Sequence, residues 1–190
     1  ILGLIFSVPN LMTGKSSLKT AIPFGPFLIL ASIIYFFIFA CCTGLLAYAL
    51  YTQYVDGLHP CPLCITQRAF FVFTGVVAVM ALIFHPQQLG RYIAGGLMFA
   101  SCAAGGGFAY RQIWLQGLPP EQVPACGPSL EYMFENLPMS EAFSTLLMGD
   151  GNCAEVVWTM FGMSMPTWSL IAFVGLALAA VASALPWVRR

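Results

Sequence analysis

The chain has 190 residues, of which 59% are hydrophobic and 7% are charged, and its acidic and basic residues cancel to a net charge of zero. A water-soluble domain usually carries about 25% charged residues, so this chain has too few charges to cover a surface that faces water. The composition therefore excludes an ordinary soluble domain and predicts an integral membrane protein. We expect no nucleic-acid partner.

Residues 1–30 differ from the rest of the chain. They begin with an apolar run without an initiator methionine, and they lack the ordered regions of a secretory signal. The run from Ala21 to Leu28 resembles the closing segment of type IV prepilin peptidases, but the membrane-face aspartates of those enzymes are missing. We interpret residues 1–30 as a remnant or a fusion junction, with an ordinary variable N-terminus as the alternative, and residues 31–190 as the functional domain.

Four stretches are long and apolar enough to cross the roughly 30 Å hydrocarbon layer, which takes about 20 helical residues. They cover about 27–50, 65–84, 92–110 and 166–188. A spanning helix satisfies its own backbone hydrogen bonds, and sustained apolar runs argue against the alternating strands of a barrel. The sequence therefore predicts an all-α integral membrane four-helix bundle with two outer loops, the second long and partly helical.

The charged residues separate by side of the membrane. Five of the seven basic residues lie before the first span, between the second and third spans, or after the fourth: Lys15, Lys19, Arg91, Arg189 and Arg190. All the acidic residues lie in the 51–64 and 111–165 loops. The positive-inside rule then makes both termini cytoplasmic and turns both loops outward, which predicts a multi-pass protein of a bacterial inner membrane with periplasmic loops. Arg68 and Arg111 break the pattern, since each lies where a span meets the outer face.

Four of the seven cysteines lie in the outward loops. These are Cys61, Cys64, Cys126 and Cys153. The other three, Cys41, Cys42 and Cys102, lie inside spans, where buried cysteine usually behaves as a small hydrophobe. Because the outside of a bacterial inner membrane is oxidising, we expect the four loop cysteines to form two disulfides.

The motif Cys61-Pro62-Leu63-Cys64 opens the second span. Two cysteines separated by two residues close a small and readily exchanged ring, and the start of a helix favours a thiolate. Arg68 follows Cys64 by four residues, so both side chains share a face if the helix has begun there. The guanidinium could then hold a thiolate or an anionic oxygen of a bound ligand.

Three plainer interpretations of these residues stay open. The four loop cysteines could bind zinc, although structural zinc sites more often use two short cysteine pairs. The Cys61–Cys64 pair could be a purely structural disulfide. Arg68 could be an anchor to lipid headgroups, as arginines at span ends often are.

The second loop contains a candidate helix between its two cysteines. Leu130, Met133, Phe134 and Leu137 are spaced as one helical face, and the acidic residues Glu131 and Glu135 point away from it. The acids argue against binding to anionic lipid, so the pattern favours partner docking or simple loop solubility.

The order of these motifs resembles the disulfide bond formation protein B (DsbB) family. The likeness covers about residues 33–190, and it is carried by the Cys61–Cys64 motif with Ile65 and Arg68, then Cys126, Cys153, Ala154-Glu155, Trp158 and Met165-Pro166-Thr167-Trp168. Members of this family are quinone-linked oxidases of the periplasmic thiol oxidase DsbA, and this system keeps the bacterial periplasm oxidising. The resemblance implies a monomeric membrane oxidoreductase that uses ubiquinone or menaquinone, needs no metal, and acts on a DsbA-like partner.

The resemblance also implies a role for each loop cysteine. Cys126 would form the mixed disulfide with the partner, so that the Cys126–Cys153 pair exchanges with it. Cys153 would then attack Cys61 and leave Cys64 as the thiolate that faces the quinone, which reoxidises the Cys61–Cys64 pair. Arg68 matches the family arginine that supports the quinone.

This chain departs from the best-known member of the family at the expected quinone site. Gln67 stands in place of a glutamate, and Gln112 lies at about the position of a histidine. Arg111, beside Gln112, is expected to substitute as a hydrogen-bond donor. We therefore predict that Arg68, Arg111, Gln67 and Gln112 contact the quinone.

Two other functions stay open. An enzyme similar to vitamin K epoxide reductase also couples a membrane-edge cysteine pair to quinone, but its active pair typically lies late in the chain. A non-catalytic assembly or transport protein could carry the same cysteines as structural disulfides. A transporter more often has charges at mid-membrane depth, and the four predicted spans lack them.

Overall fold

The computed structural model describes residues 25–84, 88–125, 138, 140, 147–149 and 151–184. Four long α-helices dominate these residues: α1 Gly25–Tyr54, α2 Pro62–Phe84, α3 Gln88–Gln116 and α4 Met165–Ala184. All four are long and apolar enough to cross a membrane. The predicted all-α membrane bundle of four helices is confirmed.

α2 begins at Pro62, three residues before the predicted start of the span. Proline suits the first helical position, because its missing N–H would have no intrahelical partner there and its φ already fits a helix. The carbonyl of Cys61 accepts a hydrogen bond from the backbone N–H of Ile65 at 3.2 Å. Cys61 therefore stands immediately before the helix, and Cys64 lies in its first turn.

Two other helices extend beyond the predicted spans at the end of the bundle where α2 begins. α1 continues to Tyr54 and α3 continues to Gln116, whereas the apolar runs end near 50 and 110. Glutamine and threonine interrupt an apolar run without ending a helix, since their helix propensities are only moderately below that of alanine. The extra turns carry Gln53 and Gln112 on rigid helices rather than on loops.

The four helices close into a bundle in which α1 and α3 each pack against both α2 and α4. On α1 the buried side chains recur every three or four residues, at Ala31, Tyr35, Ile38 and Cys42. The opposite face of α1 is equally apolar, yet Phe36 is 60% exposed within the protein. Membrane hydrocarbon covers such a surface, so the helix is apolar all round.

A stacked aromatic pair fills the middle of the bundle, where Phe71 of α2 and Phe173 of α4 have ring centroids 4.0 Å apart and an interplanar angle of 5°. α3 makes room for this pair with a glycine. A Cβ atom added at Gly105 would lie 2.4 Å from Cζ of Phe173, whereas a Cβ at Gly107 would meet nothing within 4 Å. Small residues allow membrane helices to approach closely, and close packing is a main source of their association.

We expect Gly105→Ala to destabilise the bundle, because Phe173 is 1% exposed and its ring has little space to move into. Overpacking of this kind costs about 1–3 kcal/mol. Thermal denaturation in detergent should show a Tm several degrees lower than that of the unchanged protein. Gly107→Ala, in the same helix, is the matched control and should keep its Tm. Equal Tm values for the two variants would show that the close approach is not needed.

A short β-hairpin lies directly before α4. Its strands have two residues each, and β1 Thr159–Met160 pairs antiparallel with β2 Met163–Ser164. Phe161 and Gly162 form its turn with φ values of 53° and 76°, as in the type I′ turns that suit tight hairpins. The indole Nε1 of Trp168 donates to the Met160 carbonyl at 3.2 Å and so fastens the hairpin to α4. This hairpin was not predicted from the sequence, because phenylalanine is uncommon at a position with positive φ.

Two predictions concern residues outside those that the structure describes. The first is the interpretation of the N-terminal remnant, of which residues 1–24 are not described. The second is the helix predicted over residues 130–137 of the second loop. Both stay predictions. The described parts of that loop include two short 3-10 helices, Pro120–Gln122 and Gly151–Cys153.

Candidate functional site

Three cysteine side chains meet at the end of the bundle where α2 begins. The Sγ atoms of Cys61 and Cys64 lie 3.0 Å apart. Cys153, at the end of the 3-10 helix Gly151–Cys153, makes a side-chain hydrogen bond with Cys61. Cys61 therefore contacts one cysteine of its own loop and one of the other loop. We call these three residues the sulfur cluster.

The second loop reaches the sulfur cluster by packing closely on α2 and α3. Cys153 is 0% exposed and packs with Leu63 of α2 and Leu115 of α3, which are also buried. A Cβ atom added at Gly149, whose φ is +75°, would lie 2.7 Å from Cδ1 of Leu63. Only glycine allows both this backbone conformation and this approach without strain.

Cys126, the fourth predicted cysteine, lies outside the described residues. The residue before it is described: the carbonyl of Ala125 accepts a hydrogen bond from the N–H of Gly151 at 3.3 Å. This bond joins the part of the second loop that leads to Cys126 to the short helix that carries Cys153.

Two buried glutamines connect the sulfur cluster to the helices. Gln112 of α3 places its Nε2 atom 3.3 Å from the Sγ atoms of both Cys61 and Cys64. Gln67 of α2 donates from its own Nε2 to Oε1 of Gln112 at 2.8 Å. Both side chains are 3% exposed. The structure thus brings together two of the four residues that were predicted to contact quinone, and it places one of them directly on the sulfurs.

Arg68 lies one turn along α2 from Cys64, and its charge interacts with that sulfur. Its guanidinium donates from Nη1 to Oε1 of Gln53 and from Nη2 to the carbonyl of Ala49 at 3.0 Å. Arg68 therefore also holds the last turns of α1 against α2. These two partners were not predicted from the sequence, since nothing in the local pattern of α1 relates Ala49 or Gln53 to a residue 19 or 15 positions later.

Arg111 takes a different place. Its side chain is exposed, and its Nε donates to the carbonyl of Met148 at 2.8 Å. The contact ties α3 to the second loop just before the segment that carries Cys153. Its predicted contact with quinone stays a prediction.

The surroundings of Cys61 favour its neutral form. Hydrogen bonds with Cys153 and with Cys64, together with burial, raise the pKa of the Cys61 thiol. Burial acts in this direction because a charged sulfur loses hydration that the protein does not replace. In the reduced protein, Cys61 therefore favours the thiol over the thiolate.

Two further predicted features can be placed. Trp158 packs edge-on against Tyr48 of α1, with ring centroids 6.0 Å apart, so the chain that follows Cys153 also contacts the bundle. Among the described residues, no group of three or more His, Cys, Asp or Glu side chains is arranged to hold a metal ion. A zinc site that used Cys126 would involve a residue that is not described.

Comparisons with known proteins give the family. The family described as disulfide bond formation protein DsbB matches residues 31–183. A disulfide bond formation protein B from Saccharophagus degradans is 52% identical over 139 residues, which cover 73% of this chain and 84% of the relative. The protein of the same name from Hahella chejuensis is 46% identical over 157 residues, which cover 83% of this chain and 93% of the relative. A third, from Marinobacter nauticus, is 48% identical over 136 residues, covering 72% and 81%.

The match takes in the whole sulfur cluster and nearly all of the four helices. Two cysteines before and within the first turn of a membrane helix, in contact with a third from a distant loop, are suited to thiol–disulfide exchange. The chain therefore belongs to the disulfide bond formation protein B family, and it is a multi-pass membrane protein and a disulfide-forming oxidoreductase.

Proposed function

We propose that this chain reoxidises a periplasmic DsbA-like dithiol oxidase and passes the electrons to ubiquinone or menaquinone in the bacterial inner membrane. The observation that carries the proposal is the contact between Cys153 of the second loop and Cys61 of the first. A relay between two loops needs one cysteine from each within bonding reach. Basic residues lie near both termini and in the 85–91 turn, whereas all the acidic residues lie in the two other loops, and this distribution supports cytoplasmic termini and periplasmic loops.

The relay follows from thiol–disulfide exchange. The thiolate of the reduced partner attacks Cys126, so that the Cys126–Cys153 bond breaks and Cys153 leaves as a thiolate. Cys153 then attacks Cys61, which forms the Cys153–Cys61 bond and breaks the Cys61–Cys64 bond. The electron pair of that bond stays on Cys64. The second thiol of the partner attacks the mixed disulfide, which releases the oxidised partner and returns Cys126 as a thiolate. Cys126 then attacks Cys153, which re-forms the Cys126–Cys153 bond, breaks the Cys153–Cys61 bond and leaves the Cys61–Cys64 pair reduced for the acceptor.

The residues at the start of α2 fit a quinone as the acceptor. Arg68 supplies a positive charge beside Cys64. One turn further along α2, Val72 and Phe73 are 49% and 48% exposed, so a lipid-soluble ring can approach from the hydrocarbon layer. Quinone, when bound, supplies two-electron acceptance, and Arg68 is the residue that would hold its oxygen. A DsbA-type protein is itself strongly oxidising and needs an acceptor that keeps being reoxidised, which a membrane quinone is, because the bacterial periplasm is kept oxidising kinetically through quinone.

The test is quinone reduction by the purified full chain, mixed with reduced DsbA-like protein and a soluble ubiquinone analogue. We expect one quinone to be reduced for each disulfide formed in the partner, followed by the ultraviolet absorbance of the quinone and by thiol trapping. Replacing either Cys61 or Cys64 by serine should abolish quinone reduction, because no sulfur pair remains for reoxidation.

Cys41→Ala removes a sulfur from inside α1 and is the control, expected to retain turnover. A chain that binds the partner but reduces no quinone would instead support a non-catalytic scaffold. Quinone reduction that survives in both the Cys61 and the Cys64 variants would contradict the relay.

A further inference from the structure

The relay described above makes no use of the amides of Gln67 and Gln112. Both side chains are buried at the junction of α2 and α3, where Gln112 contacts the sulfur cluster and Gln67 contacts Gln112. Burying a polar side chain costs free energy unless its hydrogen bonds are made. An amide pair in a membrane bundle whose other contacts are mainly apolar therefore calls for an explanation.

The hydrogen bond between the two amides fixes the direction of Gln112. Its Oε1 accepts from Nε2 of Gln67 at 2.8 Å. Because an amide has one acceptor end and one donor end, this bond turns Nε2 of Gln112 towards the sulfurs. The thiol of Cys64 also reaches Oε1 of Gln112 at 3.6 Å. One amide can thus accept from the Cys64 thiol and donate to the Cys64 thiolate.

The exchange step creates that thiolate. When Cys153 attacks Cys61, the Cys61–Cys64 bond breaks, the Cys153–Cys61 bond forms, and no proton moves. The electron pair stays on Cys64, which is the leaving sulfur. A sulfur leaves faster when its anion is stabilised, and hydrogen bonds to ionised groups are roughly twice as strong as neutral ones. With Cys61 bonded to Cys153, Nε2 of Gln112 is left to donate to Cys64.

We propose that Gln112 is a catalytic hydrogen-bond donor to Cys64, and that Gln67 is a positioning residue that keeps the donor end of Gln112 on that sulfur. The inference rests on the proposed relay, because it requires Cys64 to leave as an anion. It assigns to the two glutamines a task on the sulfurs themselves, separate from any contact with the acceptor.

The experiment measures the alkylation rate of each cysteine in the fully reduced protein, with iodoacetamide at one pH and mass spectrometry to locate the label. Gln112→Met removes the donor at similar volume, and we expect Cys64 to react about ten-fold more slowly, as for the loss of one hydrogen bond to a charged group. Gln112→Glu places a carboxylate against the sulfur and should slow it further. Gln67→Met frees the amide of Gln112 to rotate, so it should slow the alkylation of Cys64 by a smaller factor.

Cys126 serves as an internal reference, and its rate should stay within about two-fold in all variants. Thr74→Val is the matched control: Thr74 is a buried polar residue of the same helix, bonded to Ser101 rather than to Cys61 or Cys64. Its Cys64 rate should equal that of the unchanged protein.

Equal Cys64 rates in the unchanged protein and in Gln112→Glu would overturn the inference, and so would an equal slowing in Thr74→Val. The measurement uses neither quinone nor partner protein. A chain that shows the expected order of rates but reduces no quinone would contradict the proposed acceptor and leave the role of the amide pair supported.

Discussion

Cys153→Ser is expected to stop turnover and to trap a covalent adduct between the chain and its partner. In this variant Cys126 is a free thiol, and its thiolate can attack the disulfide of oxidised DsbA-like protein. The new bond joins the two proteins and releases one partner thiolate. Without Cys153, no neighbouring thiolate can attack Cys126 in the mixed disulfide and release the partner, so the adduct accumulates. Acid quenching followed by non-reducing electrophoresis measures it, and turnover should fall below detection.

Cys153 is the residue to replace because it is the described second-loop cysteine that contacts Cys61. Cys41→Ala, whose sulfur lies within α1, should give no adduct and should keep turnover within about two-fold. Turnover by Cys153→Ser at the rate of the unchanged protein would rule out a relay through this sulfur. Cys126→Ser should give no adduct at all, which identifies the sulfur that bonds the partner.

The second large effect concerns Arg68→Ala, which should slow quinone reduction about 10²-fold, as expected when a charge that stabilises a developing anion is removed. Exchange with the partner should change by less than about two-fold, because that step takes place on the second-loop cysteines. The two half-reactions are measured separately, by single-turnover quinone reduction of the reduced chain and by rapid mixing of the oxidised chain with reduced partner. An equal loss in both would contradict a role specific to the acceptor.

A structural effect of the same substitution has to be separated, since Arg68 also holds α1 through Gln53 and the Ala49 carbonyl. Gln53→Ala removes one of these bonds and keeps the charge. It should lower the Tm of the protein but leave quinone reduction nearly unchanged. If Gln53→Ala slows quinone reduction as much as Arg68→Ala does, helix positioning rather than charge explains the effect.

Much of the fold could be predicted from the sequence because a membrane imposes a simple requirement on it. About 20 apolar residues in a row are readily recognised, and all four such runs are helices in the structure. The ends of the helices were less predictable. Pro62 starts α2 before the apolar run does, and Gln112 continues α3 after it ends, since helix formation depends on backbone geometry and propensity rather than on apolarity alone.

The candidate site was predictable as a set of residues but not as an arrangement. The short Cys61–Cys64 spacing and the four-residue step to Arg68 are local, and a helix beginning at Pro62 gives them their geometry. The contact of Cys153 with Cys61 joins residues 92 positions apart. Only the family resemblance implied that these two cysteines meet. The approach of Gly149 to Leu63 left no local signal, because it depends on how the second loop packs on two helices.

The complete burial of Cys153 has a consequence for how long the protein lasts. Oxidation of a thiol to sulfenic acid and beyond depends on how much of the sulfur an oxidant can touch, and its later stages are irreversible. In the proposed relay Cys153 is a free thiolate only during turnover, between its release from Cys126 and its attack on Cys61, and this interval is when such damage could occur. Packed between Leu63 and Leu115, the sulfur of Cys153 is shielded from peroxide during that interval, so burial extends the number of turnovers that each molecule can complete.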